Sequence, residues 1–371
     1  MYKIGILTYH YSVNYGAVLQ AYGLYQFLSD RGYEVEFIDY RPYQARNSNL
    51  KYLFFRGQRL INPLLLWSGL QKLQKFQRFW RSQIKLSQRT YYDREELQAA
   101  NWDYDAVITG SDEIWNIDNS MLEYGKDRSF FLDFLDGKEV AKLSYAASFG
   151  GTVKLGKLQE QIYHLFADFK TILVRDGNSQ KLVESGGYTA AKVLDPTLIA
   201  NFEQIITPSA IKQPYILLYG SFSVEQGACI TALAKVKKLK IIAIGARPGK
   251  WRPPNNILTV SPEEWLGYYA GASFVFTNYF HGTIFSIIFR KPFISFDRPE
   301  KSIKVRDLLR DLKLEQRIVT QAQLADLNWD NYLELELDTD NLNQKIARSQ
   351  ELLLKAIVKL QTAELVQSSS I

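Results

Sequence analysis

A histidine followed by a row of cations is the first chemically suggestive feature of this 371-residue chain. His281 is one of three histidines. It opens an apolar segment that continues to Phe289, just after the β-favouring run Phe274 to Thr277 and the break at Asn278 and Tyr279. Arg298, Lys301, Lys304 and Arg306 follow. Fixed cations beside an imidazole suit a phosphate or a carboxylate, and the imidazole can also exchange a proton near neutral pH. A histidine among aromatic residues can equally be a packed one. A second candidate is Arg175, which directly follows the apolar run Thr171 to Val174. A guanidinium there can fork onto a carboxylate or phosphate, or make a local contact with Asp176, and spacing alone leaves the two even.

These residues need elements that hold them. Phe274 to Thr277 predicts a buried strand, His281 to Phe289 a helix stopped by Arg290-Lys291-Pro292, and Phe293 to Phe296 a second strand. The unit is therefore βαβ, with its loop at the carboxyl end of the first strand. Open α/β sheets take ligands at that edge, where a helix start also offers free N–H groups and a positive dipole end. Elsewhere the pattern repeats. Lys3 to Tyr9 leads into the loop HYSVNYG, with Asn14 and Gly16 at its turn, and then into a helix over Ala17 to Asp30. Tyr33 to Tyr40 alternates as a strand. Tyr104 to Thr109 ends in Gly110-Ser111-Asp112, Leu143 to Ala146 in Ala147-Ser148-Phe149-Gly150, and Lys192 to Leu194 in Asp195-Pro196-Thr197. Past a linker near Asn201 to Gln213, strands are expected at Tyr215 to Tyr219, Lys240 to Ile244, Ile257 to Val260 and Arg317 to Val319, with a helix capped at Ser261-Pro262-Glu263-Glu264. A long helix over Asn341 to Val366 ends the chain.

The expected fold is α/β: two Rossmann-like domains facing a cleft (GT-B-like), with a long C-terminal helix. Boundaries are expected at 1–205, carrying a basic helical insertion at 41–92, at 206–335 for a donor-binding domain, and at 336–371 for a helix able to pack back on the first domain. No GxGxxG follows the first strand, which argues against a dinucleotide site. Asp112 and Asp195 invite reading as a carboxylate pair for acid/base work, although an Asp after a strand is commonly a turn or helix cap.

Composition narrows the classes. Hydrophobic residues make up 46% of the chain and prolines number only 11, which argues for folded cores rather than disorder. One cysteine, Cys229, excludes an internal disulfide framework and a cysteine-based zinc site, and suits a reducing compartment, so a cytoplasmic location is expected. MYKIGILTY enters a strand directly, so no signal peptide is expected. The positive charge is concentrated: Arg41 to Tyr92 holds eleven Lys or Arg and no Asp or Glu. Such a segment could meet anionic lipid headgroups, giving peripheral membrane contact at the inner face, or an acidic polysaccharide, or could be a solvated helical insertion whose Lys72 to Leu86 part is helical. No nucleic-acid-binding motif accompanies the charge.

Taken in order, N-Y-G-A-V-L-Q-A (14–21), G-S-D-E-I-W-N (110–116), S-Y-A-A-S-F-G (144–150), V-R-D (174–176), D-P-T (195–197) and T-N-Y-F-H-G-T-I-F-S (277–286) resemble the polysaccharide pyruvyl transferase family. The likeness spans roughly Lys3 to Val319 and includes K-F-Q-R-F-W (75–80). A departure is Asn278, where many members carry Asp. The resemblance implies transfer of the pyruvyl group of phosphoenolpyruvate onto two hydroxyls of one sugar, in a polysaccharide or its lipid-linked precursor, giving a ketal and phosphate. It implies His281 as acid catalyst and Arg175 and Lys301 as donor contacts, with Gly282 and Thr283 beside them. Asn14, Gly16, Ser111, Asp112 and Ser148 fall in acceptor or loop positions. No cofactor or metal is expected; phosphoenolpyruvate is a co-substrate. Its carboxylate and phosphate need at least two cations, and protonating its vinyl carbon needs an acid of the kind a histidine supplies. The rival readings are a nucleotide-sugar-dependent glycosyltransferase of the same architecture, for which the carboxylates in Asp297-Arg298-Pro299-Glu300 could hold a ribose, and a non-catalytic carbohydrate-binding relative.

Overall fold

The computed structural model describes residues 1–43, 63–118, 127–246, 251–298 and 302–368. Thirteen strands alternate with helices among them. The strands are β1 (Lys3–Leu7), β2 (Glu34–Tyr40), β3 (Leu86–Tyr91), β4 (Ala106–Thr109), β5 (Ala141–Ala147), β6 (Phe169–Val174), β7 (Ala190–Lys192), β8 (Tyr215–Tyr219), β9 (Lys240–Ile244), β10 (Asn256–Ile257), β11 (Phe274–Thr277), β12 (Phe293–Phe296) and β13 (Ile318–Val319). The helices are α1 (Tyr15–Ser29), α2 (Pro63–Gln83), α3 (Arg94–Ala99), α4 (Gln159–Leu165), α5 (Gly177–Glu184), α6 (Pro196–Ile199), α7 (Val224–Val236), α8 (Pro262–Gly271), α9 (Phe280–Ile288), α10 (Ile303–Asp311) and α11 (Thr339–Ser368).

The chain forms two compact units: Met1–Leu50 with Trp80–Asn201 and Leu342–Ile371, and Lys51–Phe79 with Phe202–Asn341. In the first unit all seven strands are parallel, in the order β3-β2-β1-β4-β5-β6-β7. Both faces of this sheet are covered, which is why its central strands read as unbroken apolar runs. One face packs Ile4, Leu24, Phe27 and Leu143 with Leu353, Ala356 and Ile357 of α11. The other packs aromatic residues around Trp115, Phe131 and Phe166. The second unit holds six parallel strands in the order β10-β9-β8-β11-β12-β13, with a core around Ile216, Phe276 and Ile294. The sequence of strands reverses between β1 and β4 in one unit and between β8 and β11 in the other, and the carboxyl edge at such a reversal is where open sheets hold ligands.

Local chemistry explains the helix starts. Asn14 accepts from Gly16 N and Ala17 N to cap α1, and Asp176 accepts from Ser179 N to cap α5. Ser223 with Gln226 and Ser261 with Glu264 form capping boxes on α7 and α8, the second with Pro262 in the first turn. Two expectations are corrected. The strand expected over 257–260 is only Asn256–Ile257, because the chain leaves the edge to bury Val260 and deliver Ser261 to its cap. The basic segment is not a helical insertion throughout. It ends in the edge strand β3, which pairs with β2, and Lys51–Phe79 groups with the second unit, where the Lys75 ammonium lies 2.6 Å from Glu264 of α8.

Ile357 of α11 is fully buried in the first unit's core. Ile357→Ala should lower the unfolding free energy by about 2–5 kcal/mol in denaturant titration, whereas a loss below about 0.5 kcal/mol would mean that α11 does not belong to that core.

Candidate functional site

In the second unit the reversal point is built around the start of α9. Asn278 bridges the two loops there, its Oδ1 accepting from Ser221 N at 3.2 Å while its Nδ2 donates to Ser221 O. The Thr277 hydroxyl donates to Tyr219 O at 2.7 Å and accepts from Tyr279 N at 3.1 Å. Gly282 makes the next step possible, since a Cβ at that position would collide with the Thr277 hydroxyl. The first turn of α9 can therefore lie directly on the ends of β8 and β11. No side chain caps this helix, and its first intrahelical bond runs from Thr283 N to Tyr279 O. Its amide end, equivalent to roughly half a positive charge, faces the edge.

His281 sits partly exposed on that first turn, its ring edge-on to Phe280 at 5.3 Å. Two of the expected cations pack on the rings of the two residues that precede it in the chain. The Arg298 guanidinium lies 5.6 Å from the Tyr279 ring centre, and the Lys304 ammonium 5.2 Å from that of Phe280. A third, Arg306, is 2.6 Å from the buried Asp297 carboxylate. Asp297 is thus engaged through Oδ2, while its Oδ1 is buried without a hydrogen-bond partner among the described residues. Lys301 lies outside the described residues. The Thr283 hydroxyl points inward, donating to Tyr279 O at 3.3 Å and meeting Ser295 Oγ at 3.2 Å, with the residue fully buried. Gly282 and Thr283 thus shape the helix start; neither places a side chain at the edge.

The first unit presents a different electrostatic picture. Arg175 is 2% exposed at its side chain; Nη1 donates to Asp195 at 3.0 Å and Nη2 lies 3.6 Å from Asp112. Burial acts to lower the guanidinium pKa, but Asp112, Asp195, Asp176 and Glu113 together raise it. Four carboxylates around one guanidinium make this edge acidic. The guanidinium forks onto carboxylates, those of Asp195 and Asp112, with Asp176 among the charges around it. Asp195 also accepts from Thr197 N and Oγ1, which makes it the cap of α6 as well as an Arg175 ligand. Asp112 and Asp195 are therefore held by one cation and do not form an isolated acid/base pair. Ser111, fully buried, donates to Asp195 at 3.2 Å, and Ser148 donates to Asp176 at 2.6 Å. Asn14 is an exposed helix cap and Gly16 is buried in the turn it caps. Asp112 keeps 18% of its side chain exposed.

A further pair lies at the same edge. His10 Nε2 is 2.9 Å from Asp39 Oδ1, both residues being buried. Asp39 also accepts from Thr90 Oγ1 and Arg41 Nε, each at 2.6 Å. Burial acts to raise this carboxyl, yet His10, Thr90 and Arg41 hold it down at about 2. The signal was present in YEVEFIDY, where alternation places Asp39 on the same side as Val35 and Phe37, and a carboxylate on an apolar face needs a partner. Among the described residues, no group of three or more His, Cys, Asp or Glu could hold a metal ion.

The family model described as polysaccharide pyruvyl transferase matches residues 14–299. A comparison with curated proteins gives no match. Among solved structures, the UDP-GlcNAc 2-epimerase from Methanocaldococcus jannaschii is similar, at 11% identity and a TM-score of 0.51, over 97% of this chain and 100% of that one. S. aureus MnaA, solved with UDP, is similar at 10% identity and a TM-score of 0.53, over 98% and 97% of the two chains. At such identities the likeness is one of fold, and two parallel-sheet α/β units of the GT-B kind are that fold.

Two outcomes test this geometry. Arg175→Met should cost about 3–5 kcal/mol in denaturant unfolding, since it leaves Asp195 buried without its cation; a cost under 1 kcal/mol would show that the carboxylates do not depend on it. Because the folded-state Asp39 carboxyl is depressed from 3.8 to about 2, its contribution is complete above pH 4 and is lost as pH falls through that window. Acid titration of stability should therefore lose roughly 2 kcal/mol between pH 4 and pH 2 that Asp39→Asn does not lose, and parallel curves would remove this pair from the account.

Proposed function

Because this chain belongs to the polysaccharide pyruvyl transferase family, we propose that it transfers the pyruvyl group of phosphoenolpyruvate onto two hydroxyls of one sugar, in a polysaccharide or its lipid-linked precursor. The observation that carries this reading is the uncapped first turn of α9, with His281 on it and Arg298 and Lys304 packed on the adjoining rings. Backbone N–H groups and two cations suit a small ligand bearing both a carboxylate and a phosphate. Lys301, which the sequence resemblance assigns to the donor, falls in the same stretch of chain.

In this reading His281 gives its proton to the vinyl CH2 carbon, which becomes a methyl group, and the neighbouring carbon becomes an oxocarbenium-like centre. A sugar hydroxyl bonds to that carbon and releases its proton. The carbon–oxygen bond to phosphate then breaks, and a second hydroxyl of the same sugar, losing its own proton, closes the ketal. Neither step requires an oxidant or a reductant. The acidic edge of the first unit suits hydroxyl groups better than a dianion. We therefore assign Asp112 and Glu113, both partly exposed, to the sugar. Arg175, its charge matched by Asp195 and Asp112, holds these loops in place.

Phosphoenolpyruvate should raise the melting temperature of the protein, and UDP and GDP should not. His281→Ala should lower phosphate release from phosphoenolpyruvate and a glycan acceptor by roughly 100-fold or more while leaving the melting temperature of the free protein unchanged. Stabilisation by UDP in place of phosphoenolpyruvate would support the nucleotide-sugar reading instead. Arg175→Lys separates two roles: a raised KM for phosphoenolpyruvate with unchanged stability marks a donor contact, whereas a lowered melting temperature with that KM unchanged marks a loop-holding residue.

A further inference from the structure

The buried face of α2 carries Ser68, Lys72, Phe76 and Phe79, while Leu66, Trp67, Leu70, Gln74 and Arg78 form the opposite, exposed face. Leu66, Trp67 and Leu70 are 37%, 63% and 39% exposed and lie on adjoining positions of one turn. Three large apolar side chains clustered on a solvent-facing helix are unusual for a freely solvated surface. The helix is firmly seated, since Lys75 is 2.6 Å from Glu264 of α8, so the exposed face is not simply its loose side. The surrounding sequence supplies the second observation. From Arg41 to Tyr92 eleven Lys or Arg occur without one Asp or Glu; Arg41, Lys75, Lys85 and Arg89 are matched by acids from elsewhere in the chain and Lys72 is buried, while Arg78 and Arg81 are exposed on α2. Among the described residues no helix is long and apolar enough to cross a membrane.

From these features we propose that the exposed face of α2 docks on an anionic lipid bilayer, with Leu66, Trp67 and Leu70 entering the headgroup boundary and Arg78 and Arg81, exposed further along the same face, meeting the lipid phosphates. Tryptophan and leucine on a basic helix are the composition that lies in an interface rather than through it. A soluble polyanion would account for the cations but not for the apolar cluster, and a lipid surface accounts for both. The proposal does not depend on which reaction the protein catalyses.

The full chain, at about 0.1 M salt, is sedimented with vesicles of phosphatidylglycerol and phosphatidylcholine and with vesicles of phosphatidylcholine alone. Binding should favour the anionic vesicles, fall on raising salt, and drop by roughly tenfold or more in the Leu66→Ser/Trp67→Ser/Leu70→Ser variant. The melting temperature of that variant should fall only modestly, because Trp67 is mostly exposed and Leu66 and Leu70 are half-buried rather than core residues. Should the triple variant unfold, Trp67→Phe gives the second readout: spin-labelled lipids should quench fluorescence of the parent protein and quench the variant much less. No sedimentation with anionic vesicles overturns the proposal. So does equal binding by parent and triple variant. Tight binding to heparin together with vesicle binding that ignores the apolar substitutions would point to a polyanion and would also overturn it.

Discussion

The second unit depends on how closely α9 can approach the strands beneath it. A helix start can aim its backbone at a ligand only if its first turn sits on the sheet edge, and here that contact is made through Gly282, where any side chain would strike Thr277. Thr277 in turn ties the ends of β8 and β11 together through Tyr219 O and Tyr279 N, and Asn278 does the same through both backbone groups of Ser221. Three small or polar residues thus fix the place and direction of one helix terminus. His281, Arg298 and Lys304 inherit their positions from it.

The first unit solves the opposite electrostatic problem. Several loops that leave its sheet carry acids, and a cluster of buried carboxylates is costly without a cation. Arg175 supplies that cation from the end of β6, and Ser111, Ser148 and Thr197 satisfy remaining acceptor positions on Asp195 and Asp176. His10 performs a similar task for Asp39. Buried ion pairs of this kind add little net stability but penalise any arrangement that separates them, which makes them suited to holding loop geometry.

Much of this was readable from residue order. Apolar runs ending in Gly-Ser-Asp, Ala-Ser-Phe-Gly and Asp-Pro-Thr announced parallel strands with loops at one edge, because parallel sheets bury both faces and leave polarity to the strand ends. The cap at Ser261 was equally plain, being written in four consecutive residues. Partnership was less legible. Nothing in the spacing of Arg175, Asp112 and Asp195 says that the first is enclosed by the other two, since strand order decides which loops become neighbours. The inward turn of Thr283 was hidden for a related reason: a threonine in the first turn of a helix can face the ligand edge or the strand behind it, and here Ser295 on β12 takes it. Residues 41–92 read as one basic block, yet β-pairing claims Leu86–Tyr91, and the ion pair of Lys75 with Glu264 draws the preceding helix to the other unit.

A crystal structure with phosphoenolpyruvate bound tests the central claim most directly. The account places the carboxylate or phosphate within hydrogen-bonding distance of the backbone N–H groups at the start of α9, beside His281, with the contact between Arg175 and Asp195 intact. A ligand held by Arg175 with Asp195 displaced, and α9 untouched, would contradict it.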